Sequence, residues 1–92
     1  MHYLYIIFSH VANKYYVGET NDLKRRMDEH VNAFFKGSFT ARASDWELRL
    51  CIEFDDILKA RNAEAFIKRM NSRKFIEKLI QDAEWFRIKF NS

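Results

Sequence analysis

One carboxylate stands out in this chain by its position. Glu64 lies four residues after Ala60 and three before Ile67, in or beside the apolar stripe of a predicted helix. Burying an unpaired carboxylate is costly, so such a group is expected to have a basic partner, a raised pKa or a bound metal ion. From spacing alone an ion pair is favoured, and Lys68 follows one turn later at the distance that suits it.

Two further sets of polar side chains lie on or beside apolar faces of predicted elements. Arg26 and His30 are four residues apart and project from the same face of another predicted helix. A guanidinium fork beside an imidazole would suit a phosphate, although an ordinary helix flank is the commoner explanation. Tyr3 and Tyr5 share one face of the first predicted strand, and Tyr16 shares a face with Gly18 and Thr20 of the second. Core tyrosines with a hydrated hydroxyl explain this pattern. Taken singly, each set therefore has a purely structural explanation.

The first half of the chain predicts a hairpin followed by a helix. Residues 3–8 and 15–20 are rich in aromatic and β-branched side chains, with turn-forming residues between them, so they predict two antiparallel strands. Residues 20–22 then supply capping groups for a first helix that ends before Gly37. Its predicted apolar stripe comprises Leu23, Met27, Val31 and Phe34.

The second half predicts a strand and two helices. Residues 46–54 alternate in polarity as a third strand does, and Asp55 and Asp56 mark the start of a second helix. The predicted buried stripe of that helix comprises Ile57, Ala60, Ala63, Ile67 and Met70. A further helix is predicted at residues 73–80. The tail, residues 85–90, alternates apolar and basic side chains, which predicts an edge strand or an extended segment across the core.

These elements predict an α+β fold, in which a small three-stranded antiparallel sheet is flanked by helices in the order ββαβα with a C-terminal helical extension. A chain of 92 residues has room for one hydrophobic core. We therefore expect a single domain over residues 1–92, with its core at residues 3–80 and an extension at 81–92.

Composition narrows the class of protein further. No apolar stretch approaches the length of a membrane span. Cys51, the single cysteine, is expected to fill a small core position, which favours a reducing compartment and makes the cytoplasm the default location. The net charge of +3 permits a polyanionic partner without requiring one.

The order and spacing of these residues resemble those of a known family. The segments that carry the resemblance are Tyr3-Leu4-Tyr5, Tyr16-Val17-Gly18, residues 22–30, Ser38-Phe39-Thr40 before Trp46-Glu47-Leu48, and residues 60–68. Together they resemble the GIY-YIG nuclease domain, most of all its short free-standing bacterial members, over residues 3–80. In this chain Tyr3 replaces the glycine of the first motif, and Val17 replaces the isoleucine of the second.

The resemblance implies an endonuclease that hydrolyses DNA phosphodiester bonds with one divalent metal ion, Mg²⁺ or Mn²⁺. By matching position, Glu64 is the metal ligand and Arg26 the phosphate clamp, while Tyr5 and Tyr16 place their hydroxyls around the attacking water. His30 fits an accessory acid/base or phosphate-binding role, and which tyrosine acts as the base is left open. The residues expected to bind nucleic-acid phosphates are Lys24, Arg25, Lys36, Arg42 and Lys68.

Such phosphate contacts do not read bases, so the expected activity is structure-selective or weakly sequence-specific. The expected partner is DNA, branched or otherwise structured, in repair or recombination, with a protein partner as a further means of targeting. Two alternatives stay open. One is a catalytically silent nucleic-acid-binding module on the same fold, and the other is a protein-interaction domain that docks through residues 85–90. The sequence does not predict the oligomeric state.

Overall fold

The computed structural model describes residues 1–31 and 43–91. Within these ranges the elements in chain order are β1 (His2–Ser9), β2 (Lys14–Thr20), α1 (Leu23–Val31), β3 (Glu47–Phe54), α2 (Ile57–Met70), α3 (Arg73–Gln81) and α4 (Glu84–Asn91). The predicted α+β class and the ββαβα order are confirmed. The part of the first helix predicted beyond residue 31, with Phe34, lies outside the described residues. Over the same two ranges, no helix combines the length and the apolar character needed to cross a bilayer.

The three strands form one antiparallel sheet in the order β2-β1-β3. The central strand β1 is buried on both faces, which explains its continuous apolar run. In the register, Tyr5 pairs with Gly18 on one side and with Cys51 on the other. An irregularity in the pairing with β3 leaves Arg49 as an extra residue between the partners of Ile6 and Ile7. The predicted alternation of β3 is broken there.

The sheet separates two apolar clusters. On one face Leu4 and Ile6 pack with residues of α2, α3 and α4, including the fully buried Phe86. On the other face Tyr5 and Ile7 pack with Trp46 and with partly buried residues of α1. Because strand side chains alternate between faces, Tyr5 lies on the α1 side of the sheet, while α2 covers the opposite side.

Helix starts follow the predicted capping residues. The Asp22 carboxylate accepts a hydrogen bond from the backbone N–H of Arg25 at 3.1 Å, and Asp56 accepts one from Leu58 at 2.7 Å. Helix α2 ends at Asn71, whose φ of 46° lies in the left-handed region that asparagine tolerates better than most residues. These local signals fix where α2 turns into α3, beside the candidate active site.

The prediction of an extended tail is wrong, because residues 84–91 form helix α4. Phe86 and Phe90 are four residues apart, so a helix places both on one face. Their ring centroids lie 6.1 and 5.4 Å from that of Phe66 on α2. The helix is favoured because it packs these two rings against Phe66, although the alternating pattern predicted an extended segment. Trp85 and Ile88 are exposed as a result.

Three predicted core positions are also wrong. Val31 is 40% exposed because His30, 2% exposed, takes the buried position on that turn of α1. Met70 is 46% exposed at the last residue of α2, where the helix has run past its buried stripe. Cys51 is exposed because Ile52, its neighbour on β3, points into the α2 side of the core and directs the thiol to the opposite face.

Candidate active site

Tyr5 lies at the centre of the site and depends on a glycine opposite to it. The tyrosine is 1% exposed, and its Oη lies 2.9 Å from Nε2 of His30 on α1. A Cβ added at Gly18 would lie 2.5 Å from Cζ and 2.9 Å from Cε1 of Tyr5, and closer still to Oη. The phenol ring therefore lies directly across β2, and glycine is required there because of this close approach.

Tyr16 and His30 complete a cluster of three rings. The centroid of His30 is 5.7 Å from that of Tyr5 and 5.3 Å from that of Tyr16, and the two tyrosine centroids are 6.4 Å apart. The three residues come from β1, β2 and α1. We call this group the Tyr5–Tyr16–His30 cluster. It brings together two hydroxyls and one imidazole, all from residues that the family resemblance had selected.

Arg26 lies one turn before His30 on α1 and acts on the cluster electrostatically. Its Nε is 3.5 Å from Oε1 of Glu29, and its side chain is 32% exposed. The positive charge lowers the pKa of His30 and opposes the effect of burial on the pKa of Tyr5. The charge of the guanidinium therefore acts on both Tyr5 and His30.

Burial decides the protonation of the cluster. It raises the pKa of Tyr5 well above the ordinary tyrosine value, and Tyr16 adds to this effect. Arg26 offsets only part of it. Burial, with a smaller contribution from Arg26, also lowers the pKa of His30. Both groups are therefore neutral near pH 7. With the His30 proton on Nδ1, the tautomer assigned here, the Tyr5 hydroxyl donates to Nε2.

Glu64 lies on α2, and its connection to the cluster runs through Lys68 and Tyr16. Its carboxylate Oε2 lies 3.0 Å from Nζ of Lys68, so the ion pair favoured by the spacing is present. The Lys68 Nζ in turn lies 5.8 Å from the centroid of the Tyr16 ring. Glu64 also contributes to the raised pKa of Tyr5, which places its charge near the phenol. The carboxylate is 22% exposed and is thus accessible from solvent.

The structure brings the five predicted catalytic residues together from four elements. They are Tyr5, Tyr16, Arg26, His30 and Glu64, and Lys68 stands beside them. Lys24 and Arg25 are exposed on the first turn of α1, and Lys24 borders a second cavity with Tyr3 and Met27. Lys36 and Arg42 lie outside the described residues. The contacts with nucleic-acid phosphates that were predicted for the basic residues stay predictions; these residues are Lys24, Arg25, Lys36, Arg42 and Lys68.

The donor set at this site fits a hard cation shared with a substrate. Among residues 1–31 and 43–91, no group of three or more His, Cys, Asp or Glu side chains is arranged to hold a metal. Glu64 offers one partly exposed carboxylate. Mg²⁺ is commonly held by one or two carboxylates together with water and substrate phosphates, whereas zinc requires three or four protein ligands. A cation at Glu64 would first have to displace the ammonium of Lys68.

Glu19 is a residue near the site that the sequence analysis missed. It lies on the α2 side of β2, with its side chain 12% exposed. Its carboxylate is 3.4 Å from Nδ1 of His2 and 3.5 Å from Nε of Arg61. Arg61 is three residues before Glu64, so this ion pair ties the helix that bears Glu64 to the strand that bears Tyr16. The signal in the sequence was a carboxylate on the core-facing side of a strand.

Acidification is expected to destabilise the protein through His30. The folded-state pKa of His30 lies below its unfolded value of about 6.5, so in this range the unfolded chain binds a proton that the folded chain does not. The free energy of unfolding should therefore fall as the pH falls below about 6.5, by at most about 1.4 kcal/mol per pH unit from this group. Urea unfolding at several pH values would measure it.

The control for this prediction is the exposed His10. Between pH 7.5 and 5.5, His30→Gln is expected to make the free energy of unfolding less dependent on pH. His10→Gln is expected to leave this dependence unchanged. An unchanged slope in His30→Gln would contradict the assignment.

Comparison with known families identifies the class of protein. The family model described as the GIY-YIG catalytic domain matches residues 1–78. The match covers most of the chain, and the chain therefore belongs to the GIY-YIG family, a family of nucleases. Searches of curated proteins and of solved structures return no match. The family relation carries an expectation of nucleic-acid binding at the site described above.

Proposed function

We propose that this protein is a divalent-metal-dependent endonuclease that hydrolyses phosphodiester bonds in DNA. The observation that carries the proposal is the convergence of a tyrosine–imidazole pair, an arginine and a partly exposed carboxylate at the edge of β2. The pair is Tyr5 and His30, the arginine is Arg26 and the carboxylate is Glu64. These are the groups that hydrolysis of a phosphodiester requires: a proton acceptor for water, a cation for the phosphate and a ligand for a metal ion.

Tyr5 and His30 provide a route for the proton of the attacking water. As the water oxygen bonds to phosphorus, its proton passes to Oη of Tyr5 while the Tyr5 proton passes to Nε2 of His30. Tyr5 then never needs to exist as a free phenolate, which its raised pKa makes unfavourable. The phosphorus–oxygen bond to the leaving sugar breaks, and that oxygen takes a proton from solvent.

Arg26 and Lys68 provide positive charge on two sides of the cluster. Arg26 lies on α1 beside Tyr5 and His30, and Lys68 lies on α2 over the ring of Tyr16. A phosphate placed between them would have its developing charge stabilised by a guanidinium and an ammonium in a partly desolvated site. Lys68 becomes available for this role once its ion pair with Glu64 opens.

Glu64 is the residue that would hold the metal ion. A bound Mg²⁺ or Mn²⁺ supplies Lewis-acid polarisation of a phosphoryl oxygen. The chain's own part is to fix the carboxylate at a defined place on α2, where Ala60, Ala63 and Ile67 are fully buried and hold the helix against the sheet.

We infer that the preferred substrate is branched or otherwise structured DNA, of the kind formed in repair or recombination. The cationic side chains at the site contact phosphates without reading bases, which favours recognition of shape. The alternative of a docking domain built on the tail has less support, since Phe86 and Phe90 are used within the chain's own core.

Metal removal tests the proposal directly. Labelled linear, flapped, branched and single-stranded DNA would be incubated with the protein in Mg²⁺ or Mn²⁺. We expect cleavage of at least one structured substrate, and complete loss of cleavage with excess EDTA. Arg26→Ala, purified identically, controls for a contaminating nuclease. Binding of DNA without cleavage in any of the metals would instead identify a catalytically silent binding module.

A further inference from the structure

A groove opens beside the candidate active site, along the free edge of β2. It has a cavity volume of about 480 Å³, within the range of about 300 to 1,000 Å³ that small-molecule sites have. One wall is the strand β2, and the other is formed where α2 ends and α3 begins. Its polar and aromatic lining consists of Lys14, Tyr15, Tyr16, Lys68, Asn71 and Arg73. We call it the β2 groove.

The charge of the β2 groove suits a polyanion. Lys14, Lys68 and Arg73 line it, and no carboxylate is among its lining residues in the described part of the chain. Arg73 is held in place, because its guanidinium donates to the backbone and side-chain oxygens of Asn13, each at 3.1 Å. It therefore shapes the wall. Lys14 is exposed at the start of β2, and Lys68 lies on α2 near Tyr16, so each wall of the groove carries an ammonium.

The β2 groove is continuous with the active site, since Tyr16 and Lys68 belong to both. A nucleic-acid strand whose phosphate lies at the Tyr5–Tyr16–His30 cluster could continue directly into this groove, which two lysines line. Its volume accommodates a small ligand and is too small for a duplex. Two adjacent tyrosines and the backbone of β2, the outermost strand of the sheet in the described residues, lie along the groove where a base and a sugar would stand.

We infer that the β2 groove binds an unpaired nucleotide next to the scissile phosphate, with Lys14 contacting the following phosphate. This inference rests on the proposed nuclease function and makes it more specific. It gives a physical reason for selectivity toward flapped or branched DNA: a nucleotide that is already unpaired enters the groove without the cost of unstacking, about a few kcal/mol for a paired one.

Lys14→Gln tests the inference against Lys78→Gln, which removes the same charge from an exposed position on α3 outside the groove. On a flapped substrate, Lys14→Gln is expected to raise KM about fivefold to tenfold with kcat nearly unchanged, a loss of about 1 to 1.4 kcal/mol in binding. The slope of log binding constant against log salt concentration should also be smaller by about one unit for Lys14→Gln. Lys78→Gln is expected to match the wild type in KM and in salt dependence. Equal KM values in the two variants would overturn the inference.

A crosslinking experiment detects the contact between the unpaired nucleotide and the β2 groove without requiring DNA cleavage. A flapped substrate with 5-iododeoxyuridine at the unpaired nucleotide beside the cut would be irradiated with the protein in Ca²⁺, and tryptic peptides would be mapped. Crosslinks are expected within residues 15–24 or 70–73. If they lie only elsewhere, the groove is not the binding site. If the wild type cuts no substrate but these peptides are crosslinked, the nuclease proposal fails while the groove still binds nucleic acid.

Discussion

Glu64→Gln is expected to lower the rate of DNA cleavage by about 1,000-fold, or about 4 kcal/mol of transition-state stabilisation. Glutamine keeps the shape of the side chain but removes the charge that holds a divalent cation. Glu64 is partly exposed and is not needed to fill the core, so the variant should fold normally. Cleavage rates at saturating Mn²⁺, together with Mn²⁺ binding by calorimetry, would measure both effects.

Lys68→Gln is the matched control for metal binding. It breaks the same ion pair at 3.0 Å but leaves the carboxylate in place. Because the ammonium no longer competes for the carboxylate, Mn²⁺ should bind this variant at least as tightly as the wild type. Glu64→Gln should lose that binding. If both variants bind Mn²⁺ like the wild type, the metal lies elsewhere and the assignment of Glu64 is wrong.

Gly18→Ala should strongly lower activity although glycine takes no part in the chemistry. The new Cβ would lie 2.5 Å from Cζ of Tyr5, so the phenol ring must move. Overpacking of this kind costs about 1–3 kcal/mol of stability. A shift of the hydroxyl by about 1 Å is expected to lower cleavage about 100-fold. Urea unfolding and the cleavage assay on the same preparation would measure the two effects.

A double-mutant cycle shows whether the Tyr5 ring is the cause. In the background of Tyr5→Leu, whose side chain is shorter and lacks the ring, Gly18→Ala should cost much less stability than in the wild type. Equal costs in both backgrounds would mean that the alanine acts on something other than the ring. Cleavage that survives in Gly18→Ala would show that the close approach of Tyr5 to β2 is not needed for activity.

Most of the fold could be predicted because its signals are local. The two-residue period of the strands and the caps at Asp22 and Asp56 depend on neighbours in the sequence. Where predictions failed, a distant contact decided the outcome. The tail is a helix because Phe86 and Phe90 both contact Phe66 on α2. The alternation of apolar and basic residues predicts an extended segment, and the local sequence does not show that the contacts with Phe66 outweigh it.

The residues of the candidate site also divide into those that the sequence identified and those that only distant contacts reveal. Position along predicted elements, with the family resemblance, was enough to select Tyr5, Tyr16, Arg26, His30 and Glu64. The role of Gly18 was missed, since a glycine in a strand has many explanations until the ring that lies across it is known. Glu19 was missed because its partners come from β1 and α2.

The sequence by itself determined which chemical groups are present and on which helices and strands they stand. Only the tertiary structure decided that burial keeps Tyr5 protonated beside His30, that Lys68 of α2 lies over the ring of Tyr16 on β2, and that a cationic groove extends from the site. The physical reason is that burial, charge–charge distance and cavity shape depend on where chain segments meet. The two walls of the β2 groove, at residues 14–17 and 67–76, are about fifty residues apart in sequence, so no local pattern encodes their approach.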